Sequence, residues 1–446
     1  MLSLRTVRRI CAVIDAFTVT FIAASLSKSR RKSDISVFAT ESNCENFPTI
    51  AACKSAILNK RSRTKPQEVT EASSNTCLDP SSIGEPALFK LKAEKDPEKL
   101  FHIFRSNAHN RFVIENRFAF EDTVARLTGA CRFDLIEELL EHQKTLPQGR
   151  REGFIVRLIM LYGKAGMPDH ALKTFHQMEL FGCLRTVKSF NATLKVLSQA
   201  HRFNDANLLF ADSSRMYGIG LDVISFNTII KLMCEMGNLE SAYLVMVDME
   251  KAGIKPDVVT YTTLISAFYK HGRSMVGDGL WNLMVLKGCS PNLATFNVRI
   301  QFLINRKRAF QANDLVRLMR KASIRPDEMT YNLIIKGFCM IGELEMAKQI
   351  FYAIHQWTLK PNSKIYQTMI HYLNKAGKFD LAFRLCKDSM ERNWFPSVDT
   401  IKKLLEGLMS ISKDRNAREI LKLVKERKTS YSADEIKEFH DIIRKK

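Results

Sequence analysis

An all-α, right-handed superhelical solenoid of helix-turn-helix units, about 35 residues each, is the architecture this sequence predicts. Three observations carry it. Pro256, Pro291, Pro326, Pro361 and Pro396 stand 35 residues apart, and the aromatics Phe226, Tyr261, Phe296, Tyr331 and Tyr366 keep the same interval. Eleven residues after most of these aromatics comes a glycine (Gly237, Gly272, Gly342, Gly377), and sixteen after each comes a small residue (Ala242, Gly277, Ala312, Ala347, Ala382). Four columns in phase mark an internal repeat, and a period of 20–50 residues marks a solenoid or array.

One unit shows why the repeat is a helical hairpin. Between Asp257 and Pro291, Tyr261, Leu264, Ile265 and Phe268 fall at helical spacing, then Leu280, Leu283, Met284 and Leu286, with a break at His271-Gly272. Gly272 suits the left-handed residue just past a helix end. Pro291 stops the second helix, because it lacks an N–H and clashes with the preceding turn. A single hairpin cannot bury its apolar faces, whereas stacked hairpins bury a continuous core and leave an inner surface along the array.

These residues resemble the pentatricopeptide repeat family: openings such as VVTYTTLI, SFNTII and MTYNLII, a mid-repeat glycine, then alanine, and a closing Pro-Asp or Pro-Asn. The tetratricopeptide repeat would show W-x2-L-G-x2-Y, which no unit here contains. The regular 35-residue period resembles the plain class of the family, from plant mitochondria. KLKAEKDPEKLFHIFRSNAHNR and RTVKSF resemble a subgroup that associates with the mitochondrial ribosome.

In chain order, residues 1–32 read as an organellar transit peptide, with Arg5, Arg8, Arg9, Lys28, Arg30, Arg31 and Lys32 against the single acid Asp15. A secretory signal or membrane anchor is the rival reading. The apolar run Ile10–Leu26 holds Asp15 and is shorter than the roughly 20 residues a spanning helix needs. A mitochondrial destination is preferred to a chloroplast because arginine dominates early, and no membrane insertion is expected. Residues 33–85 are polar, without periodicity, and read as a disordered linker. Residues 86–151 read as degenerate helical hairpins, 152–396 as the array, and 397–446 as a last degenerate unit (Ile401, Ala417 in phase) with a capping helix. Phe190 and Phe226 are 36 residues apart, so one extra residue is expected near Tyr217-Gly218, and His201 stands where a glycine would be.

The composition is globular, 46% apolar and 26% charged, and the net charge of +21 favours an anionic partner. None of the ten histidines begins an H-x-E, and G-x-x-x-x-G-K-[ST] and G-x-S-x-G do not occur. The ten cysteines form no C-x-x-C and no zinc-spaced Cys/His set. The expectation is therefore a chain that is not an enzyme, with no catalytic residues, metal, cofactor or small-molecule substrate, and with free thiols buried in helices. The 18 residues beyond Lys428 are expected to hold no enzyme domain.

With Val258 as position one, positions 2, 5, 9, 12 and 13 recur at helical spacing on one face of the first helix. The resemblance implies that position 5 and the last residue of each unit read one base, while position 2 packs on the bases beside it. Carried over, the pairs are Asn191 with Asp222 (U), Asn227 with Asp257 (U), Thr262 with Asn292 (A), Asn297 with Asp327 (U) and Asn332 with Asn362 (C or U). The base-stacking residues would be Ile224, Val259 and Met329. Gln367 with Ser397, Val156 with Thr186, and Lys402 depart from the pattern. The implied core is 5′-UUAUY-3′, read N to C along 5′ to 3′. The bland alternative is that the closing Asp or Asn is an N-terminal cap for the next helix. Lys195, Lys231 and Lys336 at position 9, and Lys164, Lys270 and Lys375 at position 13, form two columns suited to contacting phosphate. The expected function is binding of single-stranded RNA by a monomer acting on mitochondrial transcripts, in stabilisation, processing or translation. The alternative is a component of the mitochondrial ribosome.

Overall fold

The computed structural model describes residues 85–356, 360–427 and 431–444. The leader expected over 1–32 and the linker expected over 33–85 lie outside the described residues, except that Glu85 begins a helix; Cys11, Cys44, Cys53 and Cys77 also lie outside. Every described regular element is helical. The chain divides into two compact units, up to Cys183 and from Leu184.

In the first unit, helices Glu85–Ala93 and Pro97–Ser106 are separated by Asp96, whose carboxylate accepts from the Lys99 N–H and caps the second helix. Short helix Arg111–Glu115 leads into the hairpin Arg117–Gly129 and Phe133–Thr145, then Glu152–Lys164 pairs with Pro168–His176. Phe104, Phe120, Ile155, Leu158 and Phe175 are fully buried between these helices. Burying side chains of this size contributes roughly 1.5–3 kcal/mol each.

The second unit is more regular. From Val223 to Glu426 each helix has 13 residues, in hairpins Val223–Glu235/Leu239–Lys251, Val258–Lys270/Ser274–Leu286, Leu293–Asn305/Ala309–Lys321, Glu328–Met340/Leu344–Gln356, Ser363–Lys375/Phe379–Glu391 and Val398–Ser410/Asp414–Glu426. Each first helix packs against its hairpin partner and against the first helix of the next unit, so the first helices form the closer-spaced inner row. The aromatic column is buried throughout, and Ala242, Ala312, Ala347 and Ala382 are fully buried where the two helices of a hairpin approach. Helix Ala433–Arg444 closes this end by packing on Val398–Ser410, with Phe439 fully buried.

Gly272 takes the left-handed conformation the sequence requires of it (φ +75°). The same turn position is filled by His201, Lys307 and Ser412, at φ 55–58°, where a side chain adds strain that glycine avoids. The extra residue after Phe190 is built into a helix rather than a loop. Ser213 takes the place of Met249 thirty-six residues on, and Gly218 that of Gly253 thirty-five on, so the surplus sits inside the short helix Ser213–Tyr217. Among the described residues the cysteines carry free thiols, and Cys183, Cys234, Cys339 and Cys386 are buried.

Candidate nucleic-acid interface

The inner row of the second unit carries a recurrent three-residue arrangement. Five repeats end on an Asp or Asn (Asp222, Asp257, Asn292, Asp327 and Asn362) that caps the next first helix. The carboxylate of Asp257 accepts from the Thr260 N–H at 2.9 Å, and the Asp257 N–H donates to Thr260 Oγ1 at 3.1 Å. This reciprocal capping box satisfies two donors that a helix start leaves unpaired. It recurs at Asp222/Ser225, Asn292/Thr295 and Asp327/Thr330.

Position 5 of the preceding unit joins this cap. Asn227 Nδ2 donates to Asp257 Oδ1 at 3.1 Å, and Asn227 Oδ1 accepts from the Thr260 hydroxyl at 2.6 Å. Asn191 does the same with Asp222 (2.9 Å) and Ser225 (2.6 Å), and Asn297 with Asp327 (3.3 Å) and Thr330 (2.7 Å). The capping role and the pairing with position 5 are therefore one arrangement. Burial pushes the three carboxyls up, but the hydrogen bonds from the asparagines and from Ser225, Thr260 and Thr330 outweigh it and hold Asp222, Asp257 and Asp327 below the ordinary aspartate range. The pairs are thus amide against ionised carboxylate, the stronger class of hydrogen bond.

Two of the five pairs are not in direct contact by hydrogen bond. Thr262 reaches Asn292 through Thr295: its hydroxyl lies 2.7 Å from the Thr295 hydroxyl, which in turn donates to Asn292 Oδ1 at 3.0 Å. Asn332 and Asn362 part company. Asn362 donates to Glu328 Oε2 at 2.7 Å, while Asn332 accepts from the Thr368 hydroxyl at 2.8 Å. The reason is Ile365, which stands where the other units have Ser or Thr. Without that hydroxyl nothing orients the Asn332 carbonyl toward the cap.

Sequence reasoning missed the hydroxyl column itself: Ser225, Thr260, Thr295, Thr330 and Thr400 at position 3. The in-phase Ser/Thr spacing was the available signal. It also set aside Gln367, whose longer amide spans to Ser397 Oγ (2.8 Å) and Thr400 Oγ1 (2.9 Å) and accepts from the Ser397 N–H (3.1 Å). Gln367 and Ser397 are thus hydrogen-bonded to each other although the pair departs from the sequence pattern.

Around these triads Ile224, Val259 and Met329 are 61%, 56% and 60% exposed, unusual for large apolar side chains. Position 12 is covered by its neighbours, although Tyr269 still borders the inner-row cleft. Cys234, Tyr269, Ile304, Cys339 and Asn374 are buried in the stack, deeper than helical spacing alone indicates. Of the lysines, Lys195, Lys270, Lys336 and Lys375 make no ion pair among the described residues, whereas Lys231 lies 3.7 Å from Glu235. Lys164 of the first unit is paired with Glu121 at 2.8 Å. A cleft of about 750 Å3 opens on the inner row, bounded by Lys270, Asn297, Gln301, Phe302, Asp327 and Met329. Among the described residues no cluster of His, Cys, Asp or Glu is arranged to hold a metal ion, and no helix is long and apolar enough to cross a membrane.

Stacked 35-residue hairpins, three of them joining a position-5 asparagine to the aspartate cap of the next, define a modular helical-repeat protein. Models of the PPR repeat family match residues 221–270, 256–305 and 294–340, and a PPR repeat model matches 157–183 and 329–357. Over these residues the chain carries pentatricopeptide repeats. It is 62% identical over 174 residues to a mitochondrial pentatricopeptide repeat-containing protein of Arabidopsis thaliana, covering 39% of this chain and 44% of the relative. It is 34% identical over 171 residues to the small ribosomal subunit protein mS79 of the same plant, covering 38% and 43%. The chain thus spans less than half the length of these curated relatives. Among solved structures it is similar to the pentatricopeptide repeat protein PPR10 from maize, at 17% identity and a TM-score of 0.48, covering 80% of this chain and 59% of that one.

Proposed function

We propose that this chain binds single-stranded RNA through the inner row of its second unit, reading bases without catalysing a reaction. The observation that carries this reading is the amide–carboxylate pair of Asn191/Asp222, Asn227/Asp257 and Asn297/Asp327, each held by a Ser or Thr hydroxyl. An asparagine amide has two N–H donors, and each pair spends one of them on the aspartate. A fixed donor beside a carboxylate acceptor matches uracil, whose edge alternates keto oxygen and imino N–H. Thr262 with Asn292 offers a hydroxyl and an amide, which suits adenine. The exposed Ile224, Val259 and Met329 supply apolar surfaces for stacking on base faces, a contact that is worth about 1–3 kcal/mol per base for aromatic side chains and less for aliphatic ones. Lys195, Lys231, Lys270, Lys336 and Lys375 follow the backbone, with Lys164 in the first unit doing the same. The order of pairs gives a 5′-UUAUY-3′ core, with its final Y weakly specified because Asn332 and Asn362 are apart.

The transcripts would be mitochondrial, as the names of the similar Arabidopsis proteins suggest. Occupying them would stabilise them or affect their processing or translation. The similarity to mS79 supports a second reading, in which the array is a component of the mitochondrial ribosome. The test is a base swap. Thr262→Asn with Asn292→Asp recreates the neighbouring pair and moves the third position from A to U. An unchanged preference contradicts base reading and favours the ribosomal role.

A further inference from the structure

The first unit holds a second cationic cleft, of about 410 Å3, lined in part by Arg117, Glu121, Gly153, Arg157 and Lys164. It lies on the helix pair Arg117–Gly129 and Glu152–Lys164. The residues at positions 2 and 5 here, Gly153 and Val156, have no hydrogen-bonding side chain, so no base can be read by the pairing described above. The cleft is instead suited to an anion. Its one carboxylate, Glu121, is occupied by Lys164 at 2.8 Å. Three cations, Arg117, Arg157 and Lys164, therefore face one carboxylate, an excess of two positive charges in the cleft.

The two arginines differ in how they are held. Arg157 is fixed: Nη1 donates to the Ile114 carbonyl at 2.6 Å, and the guanidinium lies 5.7 and 5.5 Å from the ring centres of Phe120 and Phe154. Burial first, and then the nearby positive charge of Arg117, lower its pKa, and Glu121 offsets them only in part. A bound anion would relieve that repulsion. Arg117 is exposed at the first residue of its helix and makes no ion pair among the described residues. Nothing lies within 4 Å of where a side chain on Gly153 would begin, so the cleft is open on that side. An excess of two positive charges matches a dianion, and forked N–H donors match phosphate oxygens.

We propose that this cleft binds a phosphate monoester, supplied by the 5′-terminal phosphate of the RNA. This rests on the RNA reading above, whose polarity gives the N-terminal repeats the 5′ side of the strand. A free nucleoside monophosphate has the same chemistry, and the experiment separates the two sources.

The full 446-residue chain and its Arg117→Gln and Arg117→Lys variants are titrated with one RNA carrying either a 5′-phosphate or a 5′-hydroxyl. Each protein is also melted with and without uridine 5′-monophosphate. The wild type prefers the phosphorylated end by about tenfold, the weight of one charge-assisted contact. R117Q removes that preference while still binding the hydroxyl-ended RNA, and R117K restores part of it. A general loss of charge would weaken both RNAs alike and leave their ratio unchanged. Equal affinity of the wild type for the two ends overturns the proposal. If uridine monophosphate raises the melting temperature in an Arg117-dependent way while the RNA ends make no difference, the cleft belongs to a free monoester and the RNA-end assignment is overturned. If no RNA binds at all, the RNA reading fails, and the melting arm alone decides whether the cleft takes a monoester.

Discussion

Thr330→Val isolates the hydroxyl that links one repeat's position-5 amide to the next repeat's cap. Thr330 is fully buried, and valine keeps its shape. Its hydroxyl lies 2.7 Å from both Asn297 Oδ1 and Asp327 Oδ1 and accepts from the Asp327 N–H at 3.3 Å. Asp327 keeps its bond from the Thr330 N–H at 2.8 Å, so the helix stays capped. Asn297 is only 7% exposed, and its carbonyl loses the only partner it has among the described residues. Leaving such a group unpaired costs about 1–3 kcal/mol, and we expect about 2 kcal/mol here. Because a repeat array does not unfold as one two-state unit, the assay is hydrogen exchange of the amides at the start of Glu328–Met340. A cost of 2 kcal/mol speeds their exchange about 30-fold if they open locally. Preference for U at the matching base falls at the same time, because the Asn297 amide is free to rotate. Ile365→Thr is the converse change and tightens the Asn332/Asn362 position. Exchange altered by less than a few-fold, with base preference intact, would refute the claim that the hydroxyl orients the pair.

Two further outcomes follow from the same geometry. Replacing Lys195, Lys270, Lys336 and Lys375 together by alanine lowers the slope of log affinity against log salt by about 3, at roughly 0.7 per phosphate contact on a single strand. A salt titration of RNA binding reads this, and an unchanged slope places the phosphate track elsewhere. Gly277→Ala puts a methyl 2.6 Å from the Tyr269 ring. That ring is stacked on Phe302 at 4.1 Å and tied to Asp278 through its hydroxyl at 2.6 Å, so it cannot swing aside. Overpacking of this kind costs about 1–3 kcal/mol, seen as a lower urea midpoint, and an unchanged midpoint would mean that the hairpin spreads freely.

The fold was legible because period and chemistry agree. A 35-residue beat of proline, aromatic, glycine and alanine leaves only stacked hairpins as a way to bury Phe226, Tyr261, Phe296, Tyr331 and Tyr366. The position-5 asparagines were legible as a column, but their depth was not. Helical spacing says which residues share a side of one helix. It does not say how closely the next helix covers them, and so Asn297 and the position-12 residues lie deeper than expected. The pairing of Asn332 with Asn362 failed for a reason visible only in three dimensions: a single missing hydroxyl at Ile365 lets Glu328 and Thr368 take both amides. Gln367 went the other way, its extra methylene reaching Ser397 and Thr400.

The most direct test of the central claim is selection of RNA by the full chain from a randomised single-stranded pool at physiological salt. Base reading by the paired residues predicts enrichment of a U-rich core with A at its third place and a loosely specified last base. Binding without enrichment would contradict base reading by the paired residues and leave the lysine columns as the basis of a sequence-independent contact.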